Sequence, residues 1–159
     1  MTHAVSPSDD QLRACCAADA WLNRMTPARP FPSAKYALDL SDEIVLGLDD
    51  TALDQALAAH ARIGERRLGG TTEDRWSRSE QAGALAVDTA VQERLAEGNR
   101  RYEERFGHVF LIRAAGRSAE EMLAALDERL GHDDATERDV VRRELAEIVR
   151  LRLLKVMAS

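Results

Sequence analysis

The feature that most constrains this fold is the stretch from residue 134 to residue 157, which contains neither glycine nor proline. Val141, Leu145 and Ile148 recur there at the i, i+4, i+7 spacing of one helix face, at about 100° per residue. A pattern of this kind predicts an amphipathic helix. We therefore predict that the longest helix of the chain covers about residues 134–157.

Helical patterns separated by short breaks also run through the first third of the chain. After "SPSDD", with Ser or Asp as the cap, a helix is predicted to carry Leu12, Cys15 and Cys16 inward. The proline-rich "MTPARPFP" then interrupts helical structure. A second helix is predicted to start at Ser33, and a third to cover about 51–61. The second helix is predicted to bury Tyr36, Ala37, Leu40 and Ile44.

Two capping-box spacings mark further helix starts in the rest of the chain. Ser77 and Glu80 predict a helix that runs to about Gly98, followed by a shorter helical piece that ends at Gly107. "SAEE" predicts another helix over 118–130. The apolar "HVFLIRAAG" reads as one short extended segment near 108–113. These elements predict an all-α, single-domain helical bundle over residues 1–159.

Composition and charge narrow the class of protein. The 159 residues are 45% hydrophobic and 31% charged, enough for one buried core. A net charge of −6 argues against nucleic-acid binding. The start of the chain lacks the basic and apolar regions of a signal peptide, and no apolar run is long enough to span a membrane. With the adjacent Cys15 and Cys16 read as reduced thiols, these features predict a soluble cytoplasmic protein.

Three ionisable residues lie in line with the apolar faces of three different predicted helices. Arg152 continues the face formed by Val141, Leu145 and Ile148. His60 and Glu80 lie in the same way on the faces formed by Leu53, Ala56 and Leu57, and by Ala84, Val87, Val91 and Leu95. Burying a charged group is costly unless the group is paired or used.

Each of the three residues also has an ordinary structural interpretation. His60 at a helix C-terminus could interact with the helix dipole, Glu80 could serve only its capping box, and the Arg152 side chain could reach solvent. Together, however, a histidine, a carboxylate and an arginine in one cavity would suit proton transfer on an anionic substrate. The histidines have no metal-ligand spacing, and no glycine-rich phosphate loop or Gly-x-Ser-x-Gly motif occurs.

The motifs at these positions resemble one enzyme family. "AHARIGER", "SRSEQAGA", "GNRRYEERFGHVFLIRAAGRSAEEMLAALDERLG" and "EIVRLRLLK" occur in this order, after "CCAADAWLNRM" and "RPF". The combination is similar to the 2-oxo-4-hydroxy-4-carboxy-5-ureidoimidazoline (OHCU) decarboxylases of urate degradation, and the similarity spans nearly the whole chain. It implies an all-α carboxy-lyase that forms (S)-allantoin without a metal or organic cofactor, usually as a homodimer.

The resemblance also implies roles for particular residues. The family's catalytic histidine and glutamate match His60 and Glu80, and its substrate-binding serine and glutamine match Ser77 and Gln81. The apolar segment that contacts substrate partly through backbone groups matches Phe110, Leu111 and Ile112, and the C-terminal arginine matches Arg152.

One position departs from the family pattern. Proline follows the family's catalytic histidine, whereas Ala61 follows His60 here. Proline would stiffen the turn that orients the imidazole, so alanine could lower activity or accompany a change of substrate. Two alternative functions therefore stay open: decarboxylation of a different cyclic ureide, and a non-catalytic helical interaction module.

Overall fold

The structure is a computed structural model that describes residues 4–59 and 89–158. Seven α-helices lie in these two ranges. They are α1 (Asp9–Cys15), α2 (Asp19–Met25), α3 (Ala34–Leu46), α4 (Asp50–Ala58), α5 (Thr89–Phe106), α6 (Ala119–Arg129) and α7 (Asp134–Ala158). Within the same ranges the β-structure is one isolated bridge, between Val5 and Phe31. The fold class is all-α, as the sequence predicts.

Serine side chains begin three of these helices. The Ser8 and Ser33 hydroxyls accept hydrogen bonds from the backbone N–H groups of the third helical residues of α1 and α3. Ser118 and Glu121 form a complete capping box at the start of α6. Each bond gives a partner to one of the N–H groups that the first helical turn leaves unpaired. The predicted starts of these three helices are thereby confirmed.

The chain forms two compact units. The first comprises the residues up to Ala56 together with those from Arg142 onward, and the second runs from Leu57 to Val141. In the first unit α2 packs against α3, where the buried Trp21 indole N–H donates to the Ser41 hydroxyl at 3.0 Å. Leu12, Cys15 and Cys16 are buried in this unit, as predicted.

The prediction that Tyr36 is buried is wrong, because the buried face of α3 lies elsewhere around the helix. The Tyr36 side chain is 48% exposed, and Leu40 is partly exposed. The buried face consists of Ala37, Leu38, Ser41, Ile44 and Val45. Tyr36 is five residues before Ser41, the middle of that face, and therefore about 140° around the helix from it.

In the second unit, α5 packs against α6 around one apolar cluster. Its buried members are Val91, Leu95, Tyr102, Phe110, Ile112, Ala114, Ala119, Met122 and Leu126.

The predicted break of α5 at Gly98 is also wrong, since α5 is continuous from Thr89 to Phe106. Gly98 is buried against α6, and a Cβ atom at this position would lie 2.3 Å from Leu126 Cδ2. The glycine therefore allows two helices to approach closely and does not end a helix.

Candidate active site

The non-helical segment Phe110–Ile112 follows from the way α5 ends. Gly107 has a φ of +79°, a left-handed conformation that glycine adopts without strain, and its N–H donates to the Glu103 carbonyl at 2.8 Å. The chain then leaves the helix, and the residues around 108–113 are non-helical, as predicted. Phe110, Leu111 and Ile112 are 2%, 4% and 3% exposed. All three predicted substrate contacts on this segment are thus buried in the second unit.

Aromatic rings hold the first part of this segment against α5. The Phe110 ring lies edge-on to the Tyr102 ring, with centroids 5.2 Å apart, and the His108 ring lies edge-on to Tyr102 at 5.5 Å. The Phe106 ring is 4.6 Å from the Tyr102 ring on its own helix. Edge-to-face pairs at such distances are favourable beyond the area that they bury. Tyr102, which is fully buried, is the centre of this group.

Arg129, the last residue of α6, contacts two consecutive residues of the segment. Its Nη1 donates to the Leu111 carbonyl at 2.7 Å. Its guanidinium carbon lies 4.5 Å from the centroid of the Phe110 ring, within the range of a cation–π interaction. The Arg129 side chain is only 5% exposed, so these interactions take place out of water.

A fully buried carboxylate balances the charge of Arg129. Glu137, in the first turn of α7, accepts hydrogen bonds at Oε2 from Arg129 Nε at 2.8 Å and Nη2 at 2.6 Å. The Tyr102 hydroxyl donates to the same oxygen, and His132 Nδ1 lies 3.1 Å from Oε1. We refer to the buried Tyr102, Arg129 and Glu137 as the buried polar cluster, which the partly exposed His132 contacts.

Burial and the hydrogen bond to Glu137 raise the pKa of Tyr102 above its ordinary range. The phenol therefore stays protonated at neutral pH and acts as a donor to the carboxylate. Arg129 is a second donor to Oε2, and His132 Nδ1 lies within hydrogen-bond distance of Oε1, so both Glu137 oxygens have partners in the protein. A buried ion pair satisfied in this way keeps its cost low, whereas removal of one partner alone typically costs about 3–5 kcal/mol.

Arg152 lies in the first unit, on α7, and is 1% exposed. Val141, Leu145 and Ile148, which share its helix face, are all buried, so the predicted apolar face is confirmed. Arg150, two residues earlier, instead forms a partly exposed ion pair with Asp42 at 2.8 Å. On the same helix, Arg152 is therefore buried, whereas Arg150 lies near the surface.

The other predicted site residues lie outside the described ranges, which end at residue 59 and resume at residue 89. These are His60, Ser77, Glu80 and Gln81, together with Ala61. The structure brings Phe110, Leu111 and Ile112 together on one segment of the second unit. It places Arg152 in the first.

Sequence reasoning missed Arg129 and Glu137, although the pattern that identifies Arg152 applies to both. Arg129 continues the buried face of α6 formed by Ala119, Met122 and Leu126. Glu137 lies one turn before Val141 on the buried face of α7. The same test of helix faces, applied to every charged residue, would have found them.

Neither a metal-binding group of side chains nor a membrane-spanning helix occurs in the described part of the chain. No group of three or more histidine, cysteine, aspartate or glutamate side chains there could hold a metal ion. No helix there is long and apolar enough to cross a membrane.

Comparison with known proteins places the chain in a family. The family model for OHCU decarboxylase matches residues 7–154. The chain is 30% identical over 159 residues to the uric acid degradation bifunctional protein TTL of Arabidopsis thaliana, covering 98% of this chain and 49% of that protein. It thus spans about half the length of this relative. It is also 30% identical over 131 residues to the 2-oxo-4-hydroxy-4-carboxy-5-ureidoimidazoline decarboxylase of Amia calva, covering 81% of this chain and 75% of that one.

A solved structure agrees with these sequence matches. The fold superposes with a TM-score of 0.82 and 28% identity on a crystal structure of OHCU decarboxylase in the presence of (S)-allantoin, covering 96% of this chain and 100% of the other. The similarity therefore extends over the sequence and the fold alike. The chain belongs to the OHCU decarboxylase family.

Proposed function

We propose that this protein decarboxylates 2-oxo-4-hydroxy-4-carboxy-5-ureidoimidazoline to (S)-allantoin in urate degradation. The observation that carries the proposal is the family match over residues 7–154, which includes every predicted site residue. The two similar proteins from Amia calva and from the crystal structure are both named as OHCU decarboxylases. We further propose that residues 1–159 act as one functional domain in the cytoplasm.

The reaction itself defines what the site must do. The bond between the carboxylate carbon and the ring breaks, carbon dioxide leaves, and the electron pair stays on the ring, where it is delocalised. A proton must then be added to one face of a ring carbon to give a single enantiomer. Because the ring accepts the electron pair, we propose that the protein uses neither a metal nor an organic cofactor.

His60 and Glu80 are the proposed catalytic residues. Imidazole as a side-chain type has a reference pKa close to neutral pH, which suits the His60 side chain to donate and accept the proton. Glu80 would orient the imidazole or polarise the substrate hydroxyl. A positioned acid or base of this kind typically contributes about 10²–10⁴-fold in rate.

The remaining residues would bind the substrate. Arg152 presents a planar guanidinium that can hold two anionic oxygens at once. Ser77 and Gln81, which would lie one turn apart on the helix predicted from the sequence, would bind the ureido group and the ring carbonyl. The backbone of Phe110–Ile112 would line the apolar side, and the burial of all three residues supports a water-poor pocket wall.

The experiment generates the unstable substrate from urate in the assay and follows the formation and optical activity of allantoin. We expect the protein to accelerate allantoin formation over the spontaneous reaction and to yield the S enantiomer. If the protein neither accelerates the reaction nor biases the enantiomer, the proposal is wrong. A panel of related cyclic ureides in the same assay tests the alternative that Ala61 marks a different substrate.

A further inference from the structure

We propose that Arg129 and Glu137 are positioning residues for the decarboxylation: Glu137 orients the Arg129 guanidinium, which in turn fixes the backbone of Phe110–Ile112 against the substrate. This inference rests on the proposed function, because it assigns a purpose to the segment that the proposal places against the substrate. The two residues themselves need not touch the substrate.

The hydrogen bonds of Arg129 divide between two partners. Nε and Nη2, on one side of the guanidinium, donate to Glu137, whereas Nη1, on the other side, donates to the Leu111 carbonyl. The planar group is rigid, so the carboxylate that holds one side also sets the direction of the other. The position of the Leu111 carbonyl is therefore tied to the position of Glu137.

The same guanidinium also restrains the neighbouring side chain. Its central carbon lies 4.5 Å from the centroid of the Phe110 ring, which also packs edge-on against the Tyr102 ring. The Tyr102 hydroxyl donates to Glu137, so Tyr102 links the ring contact to the carboxylate. The buried polar cluster thus holds Phe110 and Leu111, two consecutive residues without regular secondary structure. Its side chains come from α5, α6 and α7.

Packing alone does not require this arrangement. Replacing a buried ion pair by apolar residues of similar volume is often neutral or stabilising, so an apolar pair could fill the same space. What an apolar pair cannot supply is the donor to the Leu111 carbonyl. Displacing a group that positions the substrate by about 1 Å can cost about 10²-fold in rate. We infer that the ion pair serves to place the segment.

The test separates positioning from stability by comparing three variants. Tyr102→Phe/Arg129→Met/Glu137→Leu replaces the charges by apolar groups, so that the Leu111 carbonyl loses its donor and the partly exposed His132 loses its carboxylate partner. Arg129→Lys keeps the charge, but one ammonium group cannot reproduce both sides of the guanidinium. Arg105→Gln is the matched control. Arg105 forms an ion pair with Asp134, which lies in the same first turn of α7 as Glu137, but the Arg105 side chain is 44% exposed.

We measure thermal unfolding, kcat and KM in the assay above, and amide hydrogen exchange over residues 108–113. The triple variant should unfold cooperatively, lose about 10²-fold in kcat/KM, mainly through kcat, and exchange faster at 108–113 than the wild type. Arg129→Lys should show the same changes to a smaller degree. Arg105→Gln should match the wild type in kcat/KM and in exchange at the segment.

The inference is overturned if the triple variant keeps wild-type kcat/KM, or if exchange at 108–113 does not change. If the triple variant does not fold, Arg129→Lys is judged by the same two criteria. A wild-type protein with no activity refutes the proposed function instead. In that case the exchange measurement still decides whether Arg129 and Glu137 fix the segment.

Discussion

Arg152 illustrates how far single residues can be interpreted from sequence. Its place on the apolar face of α7 predicts burial, and the side chain is 1% exposed. Arg129 and Glu137 satisfy the same rule on their own helices, but the family resemblance assigns neither of them a role. Helix periodicity thus predicts the burial of Arg152 correctly, whereas the hydrogen-bond partners of a buried charge depend on which helices become neighbours. That second kind of information is not local in the sequence.

Arg152→Gln should lower kcat/KM by about 10- to 150-fold. This range corresponds to the loss of one charge-assisted hydrogen-bonding group, about 1.5–3 kcal/mol. The matched control is Arg150→Gln, which breaks the partly exposed ion pair with Asp42 on the same helix. It should leave kcat/KM unchanged. Equal effects of the two substitutions in steady-state kinetics would contradict the role given to Arg152.

At the scale of the helices, the sequence predicts helix starts better than helix continuity. Ser8, Ser33 and Ser118 cap their helices as expected, because capping bonds join residues only three apart. The sequence predicts that a helix ends at Gly98, but the neighbouring α6 gives this glycine a packing role. The exception depends on a contact between residues 28 positions apart, which local patterns do not report.

Gly98→Ala should destabilise the protein, although alanine is the better helix former. Overpacking against the buried Leu126 side chain costs about 1–3 kcal/mol, against a propensity gain of about 1 kcal/mol. In a Leu126→Ala background the clash disappears, so the same substitution should become stabilising. Urea unfolding of the four proteins tests this change of sign. Equal effects in both backgrounds would show that the close approach does not matter.

Ser118→Ala should cost about 1 kcal/mol of folding free energy through the loss of the α6 cap.

The hydrogen bonds from the Ser118 backbone and side chain lower the pKa of Glu121 below its ordinary value. The stability that the carboxylate contributes is therefore present above the unfolded-state pKa and is lost as the pH falls through the folded-state value.

The substitution Glu121→Gln isolates that pH dependence, since glutamine can still complete the capping box. Wild type and variant are compared by urea unfolding from pH 7 down to pH 3. The wild type should be the more stable at neutral pH, and the difference should shrink on acidification. A difference that stays constant with pH would exclude the assigned cause.

At the scale of the whole molecule, helical periodicity predicts the all-α class, and the resemblance supplies the family. Periodicity places His60, Glu80 and Arg152 on apolar faces, but it cannot say which faces adjoin, because that depends on contacts between distant segments. The meeting of these three side chains around one substrate therefore stays a prediction. So does the homodimer that the resemblance implies.

The homodimer is tested by sedimentation of the purified protein. We expect a mass twice that of the 17.6 kDa chain at micromolar concentration. The apolar Tyr36, Leu46 and Leu154 side chains, all exposed in the single chain, are natural first positions for disrupting substitutions. A sedimentation mass of one chain across the accessible concentrations would contradict the expectation.

The central claim is that this chain is a decarboxylase whose proton transfer depends on His60. The most direct measurement is the rate of (S)-allantoin formation from substrate generated in the assay, for the wild type, His60→Ala and Glu80→Ala, with thermal unfolding as the control for folding. We predict an active wild type and a loss of at least about 10²-fold in each folded variant. A folded His60→Ala protein that forms (S)-allantoin at nearly the wild-type rate would contradict it.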